Sequence, residues 1–128
     1  MIKVLLVDDE PAVRQGLRMR LELEPDLLVV GEAGDGLAAI KAVQTLGPDV
    51  VVTDIDMPKI DGITMIKWLQ EIVPPVAAIV LTVYDHEEVR ARAHAAGAKA
   101  FICKQEDVEH LINAIGVATS DHPCEQSA

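Results

Sequence analysis

Five polar residues stand where short apolar runs of the sequence end: Asp8, Asp9, Asp54, Thr82 and Lys104. Carboxylate oxygens without histidine or cysteine beside them favour a hard cation, and Mg²⁺ typically takes one or two carboxylates. A carboxylate can also attack a phosphoryl group to form an aspartyl phosphate, while a cation and a lysine offset charge on the transferring oxygens. The pattern therefore indicates phosphoryl transfer to Asp54 with Mg²⁺ as the cofactor.

These loops contain only one histidine, His86, which follows the fourth apolar run. An efficient hydrolase needs a general base, so phosphorylation of Asp54 without fast turnover is the simplest chemistry that remains. The alternative is that the five residues are helix caps and polar strand ends. Any one of them alone would ordinarily be interpreted in that way.

The apolar runs alternate with amphipathic segments, which predicts five strands at 2–7, 27–30, 50–53, 76–82 and 98–103 with a helix after each. This pattern is typical of an α/β fold: a doubly wound, five-stranded parallel sheet in the order 2-1-3-4-5, as in flavodoxin-like proteins. The carboxyl ends of parallel strands meet at one edge of a sheet. We therefore expect the five polar residues to share one crevice.

Several local features predict how the helices begin. The glycine-containing stretch 31–36 predicts a tight turn before the second helix, and Leu37 is expected on the buried face of that helix. Asp61 is expected to cap the third helix. Asp85 and Glu88, three residues apart, predict a capping box at the start of the fourth.

Composition and charge exclude several classes of protein. Eleven basic against 21 acidic residues give a net charge of −10, and such a surface repels the phosphate backbone of nucleic acids. With only one Trp, one Tyr and one Phe, the chain has no stacking platform for single-stranded bases. No apolar run approaches the roughly 18 residues of a membrane span, and the N-terminus lacks a signal-peptide pattern. The expected compartment is the cytoplasm.

The chain from residue 2 to about residue 118 resembles a response-regulator receiver domain of two-component signalling, which has the CheY-like form of this fold. We therefore expect residues 1–118 to form the receiver domain and residues 119–128 to form a polar tail or linker. The residues that carry it are Val7-Asp8-Asp9-Glu10, Asp54-Ile55-Asp56-Met57-Pro58 with Gly62, Leu81-Thr82, and Gly97 through Phe101 to Lys104.

The resemblance implies a role for each acidic residue. Asp54 is the phosphoacceptor, and Asp9 and Asp54 ligate Mg²⁺ together with the backbone carbonyl of Asp56. Asp8 acts mainly through water. A receiver of this kind is not an enzyme in its own right and shows at most slow autodephosphorylation.

The resemblance also implies how the signal is transmitted. Thr82 and Lys104 bind the phosphoryl group, and Phe101 is similar to the switch aromatic that turns inward when the threonine moves towards the phosphate. Lys104 is followed by Gln105 where many receivers have proline, and receivers of NarL/LuxR-type regulators often lack that proline. The stretch 81–85 also resembles this subgroup.

Two departures from the common receiver pattern bear on the lifetime of the phosphoryl group. Val83 is bulkier than the small residue that many receivers place after the threonine, which narrows access to the phosphate. Asp56, two residues past the acceptor, adds a negative group near it. We expect these two side chains to shape dephosphorylation.

Partners follow from the resemblance. The phosphoryl donor is a sensor histidine kinase or a histidine phosphotransfer protein. The output is a homodimer or an effector domain outside this chain, for instance one that binds DNA.

Two alternatives come from other classes of protein. Asp54-Ile55-Asp56 is similar to the DxD motif of haloacid-dehalogenase-like phosphatases, but Pro58 stands where that motif has Thr or Val, and turnover of p-nitrophenyl phosphate would distinguish the two. A flavin-binding flavodoxin-like module lacks support because the chain has no hydroxyl-rich phosphate loop and no stacking aromatics.

Overall fold

Five parallel strands form one sheet in the order β2-β1-β3-β4-β5. The structure is a computed structural model, and it describes residues 1–55, 60–72, 76–83, 86–104 and 108–119. The strands are β1 Ile2–Val7, β2 Leu27–Ala33, β3 Val50–Thr53, β4 Ala77–Thr82 and β5 Ala100–Cys103. The helices are α1 Pro11–Leu21, α2 Gly36–Leu46, α3 Gly62–Glu71, α4 Glu87–Ala96 and α5 Val108–Thr119. The predicted fold class and strand order are confirmed.

The sheet is buried on both faces, which explains why its strands are almost wholly apolar. In β3, Val51 faces the side covered by α2, α3 and α4, whereas Val50 and Val52 face α1 and α5. In β5, Phe101 faces the first side and Ile102 the second. Two hydrophobic layers therefore hold the strands in register, and that register determines which strand ends become neighbours.

The second strand is longer than predicted. It continues to Ala33, three residues past the expected end, because Gly31, Glu32 and Ala33 pair with Leu5, Leu6 and Val7 after a register irregularity at Val4/Leu5. The predicted turn 31–36 is therefore wrong for its first half. A β-carbon on Gly31 would lie 2.7 Å from a Leu46 side-chain carbon, so the glycine here permits close packing of α2 on the strand.

The structure tests the features predicted near the helix starts one by one. Asp61 accepts a hydrogen bond from the Thr64 amide at 2.8 Å, as expected of a cap. His86 occupies the N-cap of α4 without a side-chain cap bond. The predicted capping box of Asp85 and Glu88 falls on Asp85, which lies outside the described residues. Leu37 is 46% exposed rather than buried, because α2 approaches its neighbours through smaller residues such as Ala39.

Within the described ranges, none of the helices combines the length and the apolar character that crossing a membrane requires.

Candidate functional site

The first and third strands end side by side and bring two aspartates together. Val7 pairs with Thr53, and the residues that follow them are Asp8 and Asp54. The Asp54 amide donates a hydrogen bond to the Val7 carbonyl at 3.1 Å, so the pairing continues one residue beyond β3. Both aspartates are buried, with 3% and 6% of their surface exposed. Strand register alone therefore places two carboxylates in one crevice.

The side chain of Lys104 bridges these two carboxylates. Its Nζ atom lies 2.7 Å from Asp8 Oδ2 and 3.1 Å from Asp54 Oδ2. The Lys104 amide donates to the Thr82 carbonyl at 2.7 Å, which fixes the lysine backbone at the end of β4. The ammonium is thus the cation that offsets the buried negative charge in this structure.

The second oxygen of each aspartate is held by the backbone. Asp8 Oδ1 accepts a hydrogen bond from the Glu10 amide at 2.9 Å, and Asp54 Oδ1 accepts one from the Ile55 amide at 2.7 Å. Among the described contacts, a backbone amide and the Lys104 ammonium hold each carboxylate and set its plane and rotamer.

The protonation of Lys104 is governed by two opposing effects. Burial by itself lowers the pKa of the ammonium, but its hydrogen bonds to Asp8 and Asp54, reinforced by their charges, outweigh that effect. The net pKa is raised above the ordinary lysine value of 10.5. Lys104 therefore keeps its positive charge throughout the physiological range.

Thr82 and Phe101, the predicted switch pair, both lie in the sheet close to this edge. Thr82 is fully buried at the end of β4 and pairs with Cys103 of the neighbouring strand. Phe101 is also buried, and the Arg90 guanidinium of α4 stands over its ring, 4.7 Å from the centroid. Such a cation–π contact links the aromatic side chain to α4.

The acidic turn after β1 forms a carboxylate cluster. One oxygen from each of Asp8, Asp9 and Glu10 lies within 4.8 Å of the others, and the last two residues are exposed. An all-oxygen donor set of this kind fits a hard cation such as Mg²⁺. Glu10 was not predicted as a candidate ligand, although its place next to the two aspartates was the available signal. Asp56, whose carbonyl was predicted as a ligand, lies outside the described residues.

Gly62 packs directly against the backbone that carries Asp54. A β-carbon at Gly62 would lie 2.3 Å from the Asp54 carbonyl oxygen and 2.8 Å from the Ile55 Cα atom. The Gly62 amide donates to the Ile55 carbonyl at 2.9 Å. Only a residue without a side chain allows this approach, so the glycine sets the position of the backbone at Asp54 and Ile55.

Sequence reasoning missed one residue that contacts the acidic turn. Arg14 of α1 donates a hydrogen bond from Nη1 to the Asp8 carbonyl and another from Nε to Glu32 Oε1 at 3.1 Å. Neither motif nor periodicity signalled this contact, because it depends on how a helix, a turn and the edge strand β2 meet in the fold.

Buried aspartates at the ends of β1 and β3, bridged by a lysine that follows β5, are the arrangement of a receiver-type signalling domain. The chain matches the response regulator receiver domain family over residues 4–116, and it belongs to that family.

Comparison with known proteins narrows the subgroup. The uncharacterized transcriptional regulatory protein YhcZ of Bacillus subtilis is 40% identical over 111 residues, covering 87% of this chain and 52% of YhcZ. The nitrate/nitrite response regulator NarL of Escherichia coli is 32% identical over 117 residues, covering 91% of this chain and 54% of NarL. The chain therefore spans about half the length of these relatives, and the resemblance to NarL/LuxR-type receivers is confirmed.

A solved receiver domain has a closely similar three-dimensional structure. The isolated REC domain of RcsB from Salmonella enterica serovar Typhimurium, in the presence of the phosphomimetic BeF3⁻, superposes with a TM-score of 0.86 at 30% identity. The match covers 94% of this chain and 89% of that one.

Proposed function

We propose that Asp54 accepts a phosphoryl group from a phosphohistidine of a sensor histidine kinase or a histidine phosphotransfer protein. One observation carries the proposal: a buried carboxylate at the end of β3, oriented by the Ile55 amide and paired with the Lys104 ammonium. The comparison with the RcsB domain supports it, since that domain was solved with a phosphomimetic.

The transfer is a displacement at phosphorus. An oxygen of the Asp54 carboxylate attacks the phosphorus atom of the donor, and a new O–P bond forms as the donor's P–N bond breaks. The imidazole, protonated on its other nitrogen, leaves with the electron pair of the P–N bond as a neutral group. The product is an acyl phosphate on Asp54. The same displacement from a small acyl phosphate expels a carboxylate instead.

The chain's own residues prepare this step. The Ile55 amide holds one oxygen of the acceptor, and Lys104, anchored through the Thr82 carbonyl, places its ammonium beside the other. Asp8 and Asp9, with the carbonyl of Asp56, are the residues that we propose hold Mg²⁺ together with Asp54. When bound, Mg²⁺ neutralises charge that develops on the phosphoryl oxygens.

Phosphorylation then changes the partners of Lys104 and Thr82. The phosphoryl group brings about two negative charges to a crevice where one ammonium already serves two carboxylates. We propose that Lys104 and the Thr82 hydroxyl turn to the new oxygens. This movement changes the packing of Phe101 and, through the Arg90 contact with its ring, the position of helix α4. The surface formed by α4, β5 and α5 then shifts its population between two states.

The surface formed by α4, β5 and α5 acts by binding partners. The match covers only about half of YhcZ, which is named a transcriptional regulatory protein, and this supports an effector domain outside this chain, one able to bind DNA. A homodimer is a second form of output. The negative charge of −10 argues against nucleic-acid binding by the receiver itself, and the cytoplasm is the proposed compartment.

Intact mass spectrometry tests the proposed function. Wild-type protein incubated with Mg²⁺ and acetyl phosphate is expected to gain the mass of one phosphoryl group, and Asp54→Asn is expected to gain none because an amide cannot form the acyl phosphate. Asp26→Asn, which removes an exposed carboxylate from a turn, is the matched control and should behave as wild type. An adduct that persists in Asp54→Asn would overturn the assignment.

The lifetime of phospho-Asp54 is a separate prediction. Val83 directly follows Thr82 at the end of β4 and is 48% exposed, so it is accessible to solvent beside the predicted phosphate-binding threonine. Val83→Ala is expected to shorten the lifetime about threefold, less than the factor of ten that 1.4 kcal/mol provides. Asp56→Asn is expected to alter it as well, because that change removes a negative charge two residues from the acceptor.

The decay of the phosphoprotein, followed after removal of the donor, measures this lifetime. Val117→Ala, an exposed valine on the last turn of α5, is the matched control and should decay as wild type does. Unchanged decay in both Val83→Ala and Asp56→Asn would refute the prediction.

A further inference from the structure

We infer that Arg14 is a positioning residue for the cation site, setting the orientation of the acidic turn that carries Asp9. The inference rests on the proposed function, since it concerns the Mg²⁺ that the proposed reaction uses. It is carried by two described hydrogen bonds of the Arg14 side chain, neither of which is made to a carboxylate of the acidic turn.

The first contact joins Arg14 to the backbone of the turn. Its Nη1 atom donates to the carbonyl oxygen of Asp8, and the Asp8 amide donates in turn to the Ala33 carbonyl at 3.1 Å. Asp8 is therefore held through both of its backbone polar groups. Glu10 is held on the other side of Asp9 by its own backbone, since its amide donates to Asp8 Oδ1 and its carbonyl accepts from the Val13 and Arg14 amides.

The planarity of the peptide bond explains why the contact of Arg14 with the Asp8 carbonyl determines where Asp9 is placed. The Asp8 carbonyl and the Asp9 amide belong to one rigid unit with partial double-bond character. A hydrogen bond that fixes the oxygen also fixes the direction in which the chain enters Asp9. Asp9 is exposed and belongs to the carboxylate cluster, so its direction decides whether its oxygen meets a cation shared with Asp8.

The other contacts hold the guanidinium in place. Arg14 Nε donates to Glu32 Oε1 at 3.1 Å, and Arg18 Nη1 donates to Glu32 Oε2 at 2.8 Å. A β-carbon at Gly34 would lie 3.4 Å from Arg14 Nη1, so the guanidinium passes closely over that glycine. The planar fork serves Glu32 and the Asp8 carbonyl from two different nitrogen atoms at a fixed spacing, a geometry that the single nitrogen of a lysine at this position does not provide.

Charge alone predicts the opposite effect on cation binding. A guanidinium beside the site repels Mg²⁺, so its removal would tighten binding if electrostatics governed. The hydrogen bonds from Arg18 and Arg14 lower the pKa of Glu32, and Arg18 also pairs with Glu22 at 3.4 Å, so two carboxylates offset the charge of the two arginines. The repulsion is therefore largely cancelled, and the geometric effect should dominate.

Mg²⁺ titration of the unphosphorylated protein by isothermal calorimetry tests the inference. Arg14→Lys keeps the charge and Arg14→Gln removes it, yet both lose the two-point contact. Both are expected to weaken Mg²⁺ binding about tenfold, as loss of an outer partner of a metal site typically does. The Asp9 amide resonance should shift in both variants before Mg²⁺ is added. Arg18→Gln, which also loses a bond to Glu32 but does not touch the turn, is the matched control and should match wild type.

The outcomes separate the two proposals. Mg²⁺ affinity equal to wild type in Arg14→Lys and Arg14→Gln, or tighter binding in Arg14→Gln alone, would overturn the role of Arg14. Wild-type protein that binds Mg²⁺ but gains no phosphoryl group would overturn the proposed function and leave the role of Arg14 standing. Urea unfolding without Mg²⁺ shows whether a variant has lost structure in general. Weaker Mg²⁺ binding in Arg14 variants that are as stable as wild type supports the positioning role of Arg14. Weaker binding that occurs only in destabilised variants contradicts that role.

Discussion

Replacing Lys104 with Met is expected to lower the free energy of unfolding by about 3 kcal/mol in the absence of divalent cations. The reason is that Lys104 Nζ is shared between Asp8 and Asp54 at 2.7 and 3.1 Å, and both aspartates are nearly inaccessible to water. Without the ammonium, two buried carboxylates face each other and lose the positive charge that lies between them. Methionine preserves most of the side-chain volume, so the loss reports on charge rather than on packing.

Mg²⁺ is expected to restore more stability in Lys104→Met than in wild type, because the cation takes over the neutralising role. Urea unfolding in EDTA and in Mg²⁺ measures both quantities. Lys41→Met, at an exposed position on α2, is the matched control and should change stability little in either condition. Equal stability of wild type and Lys104→Met in EDTA would contradict the account of Lys104 as the resident counter-charge.

The same pair of proteins gives a pH dependence with a definite sign. The pKa of Lys104 is raised in the folded state above its ordinary value of 10.5. Its stabilisation is therefore fully present below that value and is lost as the pH rises through the folded pKa. The difference in stability between wild type and Lys104→Met should remain constant from neutral pH up to that range and shrink above it.

Gly62→Ala is expected to cost about 3 kcal/mol of stability and to impair phosphorylation of Asp54. The added methyl group would lie 2.3 Å from the Asp54 carbonyl oxygen and 2.8 Å from the Ile55 Cα atom. Both are backbone atoms, so no side chain can rotate away to relieve the overlap, and the acceptor itself must move. Urea unfolding and the acetyl phosphate reaction measure the two consequences.

Gly116→Ala is the matched control for that substitution. Gly116 lies inside α5, and a β-carbon there would meet no atom within 4 Å. Alanine should therefore stabilise the helix by about 0.5–1 kcal/mol. A loss in Gly116→Ala similar to that in Gly62→Ala would show that the close approach at Gly62 is not the cause.

The sequence predicted the architecture because the strands are buried on both faces. Runs such as 50–53 and 76–82 are apolar throughout and end at polar residues, which indicates a parallel sheet and places the strand ends at one edge. The structure accordingly places the Lys104 side chain against Asp8 and Asp54, residues separated from it by 96 and 50 positions. Their catalytic and metal-binding roles remain predictions for the experiments above.

The sequence could not predict features that depend on long-range fit. The extension of β2 to Ala33 follows from a register irregularity against β1, which no local pattern encodes. Leu37 looks like a buried helix position by periodicity, but the orientation of α2 is set by close approach at Gly36, where a β-carbon would lie 2.4 Å from the Ile60 carbonyl oxygen. The contact of Arg14 with the acidic turn likewise depends on where Glu32 lies across the sheet edge.

The measurement that tests the central claim most directly is the location of the phosphoryl group in the wild-type chain. Borohydride reduces an acyl phosphate of aspartate to homoserine, which marks the modified position permanently for peptide mass mapping. After reaction with Mg²⁺ and acetyl phosphate, we expect homoserine at position 54 and nowhere else. Homoserine at Asp8 or Asp9 instead, or a phosphoryl adduct that borohydride does not convert, would contradict the assignment of Asp54 as the acceptor.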